Sequence, residues 1–411
     1  MNIKKCRSCG GTKFRSILNL GRHPWCGDFL SKNRLGKEKY YPLNLIYCMT
    51  CELLQLDFTV PKEKMFSNHS YLSSTTLTLK NYFYKLALEN KKQFNLNKND
   101  LILDIGGNDG TQMLQYKLAG MCNVLNVESA SNIAKISKSK KIPTINDFFN
   151  FEVAVNKIGA EKVKLINASG VFFHLEELHS VLKAINYSLQ QDGVLIIQFM
   201  YAGSMIDKDL FDGIYHEHLC LYTIKSLSNL LKLYNLEIFD AYYSEIHSGS
   251  IIAKVCKKYS ILNKKTSRLK KTIKKDMKYN LQEIIKFSKR VKAKRKKILD
   301  FLFSLKKNQK AKIYCYGAPA KGNTLLNYLG INTSIITKTV EVNPLKIGLC
   351  LPKSHIPIVK ENKNDLPDYY LLLSHNFENE IIKKNYSILK KGVKFITLFP
   401  KIRLIDKSSI F

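Results

Sequence analysis

The sequence predicts an α/β chain in three parts: a small N-terminal metal-binding domain, a central Rossmann-like domain on a parallel sheet, and a smaller C-terminal α/β domain. Three observations predict it. Two Cys-x2-Cys pairs lie within the turn-rich first 58 residues. From Asp100 onward the β-like runs LILDIGG, NVLNVE, VKLINAS and GVLIIQFM alternate with helical segments such as EELHSVLKAINYSLQ, the pattern of βαβ units. A second βα unit opens at KIYCYGAPAKG and continues through DYYLLLS and VKFITLF. The boundaries read as 1–70, 71–260, a helical connector over 261–309, and 310–411.

A chain of 411 residues exceeds one ordinary core. Its apolar fraction of 45% supports globular folding. It has no apolar run of about 18 residues, so no membrane span is expected. MNIKKCRSCGG lacks the apolar stretch of a signal peptide. The expected location is therefore cytoplasmic, where the ten cysteines stay reduced and favour a metal over disulfides. Lys and Arg number 66 against 33 acids, a formal charge of +33. That excess raises a nucleic-acid partner as one class of function. It is mostly Lys spread along the whole chain, so a phosphate-bearing small substrate is the stronger reading.

In the first domain, Cys6-x2-Cys9 and Cys48-x2-Cys51 are separated by 38 residues. Each pair suits one knuckle, and four thiolates suit a tetrahedral zinc ion. Four protein ligands leave no open position, so such a zinc is structural. Cys26, Cys122, Cys220, Cys256, Cys315 and Cys350 lack this spacing and read as packing residues.

The central domain opens with a strand running into Gly106-Gly107-Asn108-Asp109-Gly110 and then a helix. Glycines let the backbone approach a ligand, and a helix start offers free N–H groups. Glu128 closes the next strand, about 20 residues on, where a carboxylate holds a ribose diol. GxGxxG is absent, so the adenosine of S-adenosylmethionine fits better than a dinucleotide. Phe149 is placed to cover the adenine, or simply to pack in the core.

Phe211-Asp-Gly-Ile-Tyr-His-Glu-His218 concentrates titratable groups after the GVLIIQFM strand, hence on the rim where α/β sites open. The HEH triplet lacks the i, i+4 spacing of a helical zinc site. General acid–base chemistry is the better reading, with a neutral His as base and Tyr215 and Glu217 orienting it or binding hydroxyls. His174 falls on the same rim. Between 262 and 310, Leu269, Ile273, Met277, Leu281, Ile284 and Ile285 recur at helical spacing in a Lys-rich background. In the last domain GAPAKG precedes a helix, where Lys321 and Asn323 suit a diphosphate.

These residues carry a resemblance that runs in order through the chain. CxxC…YPLNLIYCMTC, SYLSS at 70–74, LDIGGNDG, VESASNIA, FDGIYHEH, HSGS at 247–250, YGAPAKGNTLLNY, VNPLKIG, LPKSHIPI and LLLSHNFENEI together resemble the sugar C-methyltransferases of branched deoxysugar biosynthesis. The resemblance implies a zinc domain, a class I methyltransferase domain and a C-terminal domain that helps bind a nucleotide sugar. It implies His218 as the base, Tyr215 and Glu217 contacting the sugar, and Tyr71 and His174 lining the pocket. Gly106, Asp109, Gly110 and Glu128 map to the cofactor site. The chain departs from the family pattern at Gly170, where Asn is common, and at Ile251-Ile252, where HGGS continues into Arg. It departs again at Glu341 and at His375-Asn376, where Trp-Asn is usual.

The function expected is methylation of carbon in a nucleotide-linked keto sugar. His218 forms an enolate, and His174 and Tyr71 face the developing oxygen. Two rivals stand beside it: O- or N-methylation on the same scaffold, and a zinc-containing nucleic-acid binder.

Overall fold

The computed structural model of the chain describes residues 1–410. Phe14–Pro24 (β1) and Tyr40–Cys48 (β2) form a long antiparallel pair whose register shifts at Ser16/Leu18 and Asn19/Arg22. Leu54–Leu56 (β3) pairs with β2, and the sheet closes on a strand from far along the chain, Cys220–Leu221 (β9). Leu54 pairs with Leu221 and Gln55 with Cys220. The N-terminal domain thus takes its last strand from the residues that follow His218.

The central sheet has seven strands. They are Leu101–Ile105 (β4), Val124–Val127 (β5), Thr144–Ile145 (β6), Val163–Ser169 (β7), Leu189–Met200 (β8), Leu236–Ser244 (β10) and Ser250–Lys257 (β11), in the order β10-β11-β8-β7-β4-β5-β6. β4 to β8 run parallel, while β11 is antiparallel to β8 and to β10. Ile102, Leu103, Leu165, Ile166, Ile196 and Ile197 are fully buried, as expected of strands covered by helices on both faces. The chain moves outward from β4 through β6, then returns beside β4 as β7. The carboxyl ends of β4 and β7 therefore form the switch point at which α/β sheets bind ligands.

The third sheet comprises Ile313–Tyr316 (β12), Thr339–Glu341 (β13), Ile358–Lys360 (β14), Tyr369–Leu372 (β15), Lys394–Thr397 (β16) and Arg403–Ile405 (β17), ordered β14-β13-β12-β15-β16-β17. It is parallel except for β17. Before it lie helices Ser267–Asp276 and Leu281–Gln309, the second capped by Asn280. The helical spacing through this region is real, but the apolar stripe is broken. Leu269 and Ile284 are buried, whereas Ile273, in the same helix as Leu269, and Met277, where that helix ends, are exposed.

The terminal domains also touch each other. Leu30 and Cys350 exchange backbone hydrogen bonds at 2.8 and 2.9 Å, and His355 Nε2 lies 2.6 Å from Glu38 Oε1. Among the described residues no helix is long and apolar enough to cross a membrane.

Candidate active site and metal centre

Cys6, Cys9, Cys48 and Cys51 bring their sulfurs within 4.8 Å of one another. Cys6 Sγ lies 3.6 Å from Cys51 Sγ, and Cys9 Sγ 3.6 Å from Cys48 Sγ. Zn–S bonds of about 2.3 Å in a tetrahedron set sulfurs just under 4 Å apart, so the four residues fit zinc. Gln55 Nε2 donates to Cys6 Sγ at 3.0 Å, and the amides of Ser8 and Gly11 donate to Cys6 and Cys9. Such donors orient the ligands and stabilise thiolate charge. None of the four lines the large cavity of the molecule, in keeping with a structural ion.

That cavity, about 760 Å³, lies over the switch point and is walled by all three domains. At one end the chain leaves β4 through Gly106 (φ +62°) and Asn108 (φ +52°). Gly106, Asn108, Glu128 and Phe149 line this end. Glu128 accepts from the Asn108 amide at 2.9 Å and the Ala130 amide at 2.7 Å. Burial nonetheless pushes its carboxyl above the ordinary range. Gly107, Asp109 and Gly110 do not reach the cavity. A side chain on Gly107 would collide with Asn126 and Asp104, and one on Gly110 with Ser137, so both glycines serve close packing. Asp109 is fully buried and turned inward. It accepts from the Ser74 amide, from Thr111 and from Lys140 at 2.9 Å, which holds it below the usual carboxylate range against burial. Its part is to shape the loop.

At the centre, the loop after Gly213 turns so that His216 and His218 point apart. His216 is buried outside the cavity, with Nε2 3.1 Å from the Pro42 carbonyl, and burial pushes its pKa down to about 4. His218 faces the cavity beside Glu217, Tyr215 and His174. Its ring centroid lies 3.9 Å from that of Tyr215, 4.5 Å from Phe173 and 5.0 Å from His174. His218 Nδ1 is 2.8 Å from the Gly213 carbonyl, and His174 Nδ1 is 2.7 Å from the Glu217 carbonyl. A carbonyl only accepts, so each Nδ1 carries a proton, and either ring in its neutral form has its lone pair on Nε2.

Burial holds His174 below its ordinary pKa, and with Nδ1 donating to the Glu217 carbonyl the neutral ring offers Nε2 as an acceptor. Tyr71 lines the cavity and retains a hydroxyl to donate. Glu217 is 4% exposed; burial raises its carboxyl, but His69, His174 and Trp25 more than offset this, so it stays ionised.

At the far end stand Pro319, Ala320 and Lys321 from the start of helix Ala320–Leu329, with Lys346, Ser374 and Asn376. Lys321 Nζ is 3.1 Å from His375 Nε2 and 3.9 Å from the buried Asp212 carboxylate; burial holds its pKa below the usual range. Asp212 Oδ2 is also 2.8 Å from His375 Nε2. Asn323 is not in the cavity. It is buried and donates to the Cys26 carbonyl at 2.5 Å, tying the C-terminal domain to the N-terminal one.

Sequence reasoning missed Asp147, Phe148, His69, Trp25 and Lys346, which also line the cavity. The Asp-Phe pair directly before Phe149 was legible as part of the same strand-end segment. Lys346 is 7% exposed, donates to the Ala318 carbonyl at 2.8 Å and carries no local signal beyond being one lysine among many.

Three family models match in order: a zinc binding domain over residues 6–66, a methyltransferase domain over 79–241 and a C-methyltransferase C-terminal domain over 245–400. The chain is 27% identical to the C-methyltransferase NovU of Streptomyces niveus, across 99% of this chain and 98% of that protein. Among solved structures it is similar to a geranyl diphosphate methyltransferase in complex with GPP and sinefungin. That match has 10% identity and a TM-score of 0.36, over 44% of this chain and 80% of the other. It is also similar to a SAM dependent methyltransferase from Aquifex aeolicus, with 15% identity and a TM-score of 0.32, over 43% and 97%.

Proposed function

We propose that this chain, matched in order by three methyltransferase-related family models and similar over its length to a C-methyltransferase, methylates carbon next to the ketone of a nucleotide-linked sugar, with S-adenosylmethionine as donor. The observation that carries the reading is His218, whose ring lines a cavity running from Glu128 to Lys321 with Nδ1 2.8 Å from the Gly213 carbonyl.

Glu128 would hold the ribose hydroxyls of the donor, the backbone at Gly106 would pass close beside it, and Phe149 would cover its adenine. The bound donor supplies an electrophilic methyl group. His218 Nε2 removes the proton α to the carbonyl, and the imidazolium so formed keeps its Nδ1–H bond to Gly213. Negative charge develops on the carbonyl oxygen, where a preorganised donor stabilises it; the Tyr71 hydroxyl serves, and Tyr215 supports the His218 ring. Glu217 accepts from a sugar hydroxyl. Lys321 and Lys346 face the diphosphate, which returns a counter-charge to two cations that burial leaves poorly solvated. The NovU likeness supports a C-methyltransferase, and the buried Lys346 with the partly buried Lys321 supports an anionic substrate.

Incubation with radiolabelled methyl donor and a panel of nucleotide keto sugars tests the proposal. Label should enter at carbon. Without donor, the protein in deuterated water should exchange the α-proton of the accepted sugar. Methyl transfer to oxygen or nitrogen without such exchange would overturn the enolate route.

A further inference from the structure

The chain contains a single tryptophan, and it lies in the N-terminal domain at the wall of the cavity. Trp25 follows Pro24, the last residue of β1, and is 8% exposed. Its indole Nε1 donates to Glu217 Oε1 at 2.7 Å, across 192 residues of sequence. His69 Nε2 stands 3.9 Å from the other carboxylate oxygen, beyond hydrogen-bond distance. We propose that Trp25 is a positioning residue: its indole N–H fixes one oxygen of Glu217 so that the other meets a substrate hydroxyl, and the metal-binding domain thereby completes the active site. The proposal rests on the C-methyltransferase reading for the role of Glu217.

The geometry leaves the pair little freedom. A carboxylate this deep needs donors, since an uncompensated buried charge is strongly disfavoured. The turn that carries Trp25 is held from several sides. The Asp28 amide donates to the Trp25 carbonyl at 3.1 Å, Asn323 donates to the Cys26 carbonyl, and Leu30 is bridged to Cys350. Gly27 passes so close that an added Cβ would lie 2.6 Å from the Trp25 ring and 2.8 Å from Glu217 Oε1. Trp25 belongs to the same apolar cluster as Val60, Met65, Phe66 and Tyr215, and the Tyr215 ring in turn packs on His218. A tilt of the N-terminal sheet would therefore be felt at Glu217 and, through Tyr215, at His218.

One tryptophan gives one indole cross-peak in a nitrogen–proton correlation spectrum of the ¹⁵N-labelled, zinc-loaded full-length protein, assigned by its loss in Trp25→Phe. Glu217→Gln should move that peak upfield and speed its exchange with water; an unmoved peak would show that the bond does not form and overturn the proposal. This readout needs no substrate, so it judges the bond even if no sugar in the panel is turned over, a failure that belongs to the functional reading instead. With an accepted sugar, Trp25→Phe should lower kcat/KM about 10–100-fold, as for loss of a hydrogen bond to a charged group. S-adenosylmethionine affinity and zinc content should be kept. In a Glu217→Gln background Trp25→Phe should have little further effect. Independent, multiplying losses would make Trp25 a mere packing residue.

Discussion

His218 Nδ1 sits 2.8 Å from the carbonyl oxygen of Gly213, five residues earlier in the same loop. This bond fixes the ring plane and, in the neutral ring, puts the accepting lone pair on Nε2, as the proposed base role requires. His218→Ala should keep S-adenosylmethionine affinity, measured by calorimetry, while turnover falls about 10²–10⁴-fold. Deuterium exchange at the α-carbon should vanish with it. His174 offers a second Nε2 acceptor 5.0 Å away, ring to ring, so exchange that survives in His218→Ala and is lost in His174→Ala would transfer the role.

Glu128→Ala should weaken S-adenosylmethionine binding by about 1.5–3 kcal/mol, the value of a hydrogen bond to a charged group. Asp109→Asn should act differently, because Asp109 lies outside the cavity and organises the loop. Calorimetry with S-adenosylmethionine and NAD decides the matter; preferential NAD binding would reject the assignment.

Lys321 and Asn323 should separate cleanly. Lys321→Ala should raise KM for the nucleotide-linked substrate by about 10–100-fold with S-adenosylmethionine affinity unchanged. Asn323→Ala breaks the bond to Cys26 and should lower unfolding stability by about 1–3 kcal/mol while leaving KM in place. Steady-state kinetics and denaturant melts distinguish the two.

Elemental analysis should find one zinc per chain. Cys48→Ser should lower the melting temperature and soluble yield far more than the rate of the folded fraction. Full stability after chelation would refute a structural ion.

His23 and His216 are both buried, and burial pushes each pKa down to about 4. The unfolded chain takes up these protons near pH 6.5, so between pH 6.5 and 4 it binds more protons than the folded chain, and stability falls as pH falls. Each group accounts for on the order of 3 kcal/mol over that window. Melting temperature should be level above pH 7 and drop below it, and His216→Asn should flatten part of that slope.

The domain order and strand runs were legible because apolar periodicity is local. So was the zinc cluster, where spacing alone defines two knuckles. Side-chain direction was not. Asp109 sits one residue past Asn108, but Thr111 and Ser74 draw it inward. HEH reads as one cluster, and only the tight turn that bonds the His218 amide to the Tyr215 carbonyl sends His216 towards Pro42. His174 was legible as a rim residue, but its tautomer follows from a carbonyl 43 residues away. Contacts such as Trp25 with Glu217 depend on the packing of separate domains and leave no trace in local pattern.

The strand Cys220–Leu221 gives the order of assembly a chemical meaning. During synthesis the first three strands of the N-terminal sheet leave the ribosome with the β3 edge unpaired, and that edge stays open until residue 221 has emerged. An exposed strand edge is a template for misassociation. A fragment ending near residue 70 should therefore aggregate or recruit a surrogate strand even when zinc is bound. The N-terminal sheet cannot be completed before the His218 loop has been synthesised, so closing the sheet draws that loop against the metal-binding domain.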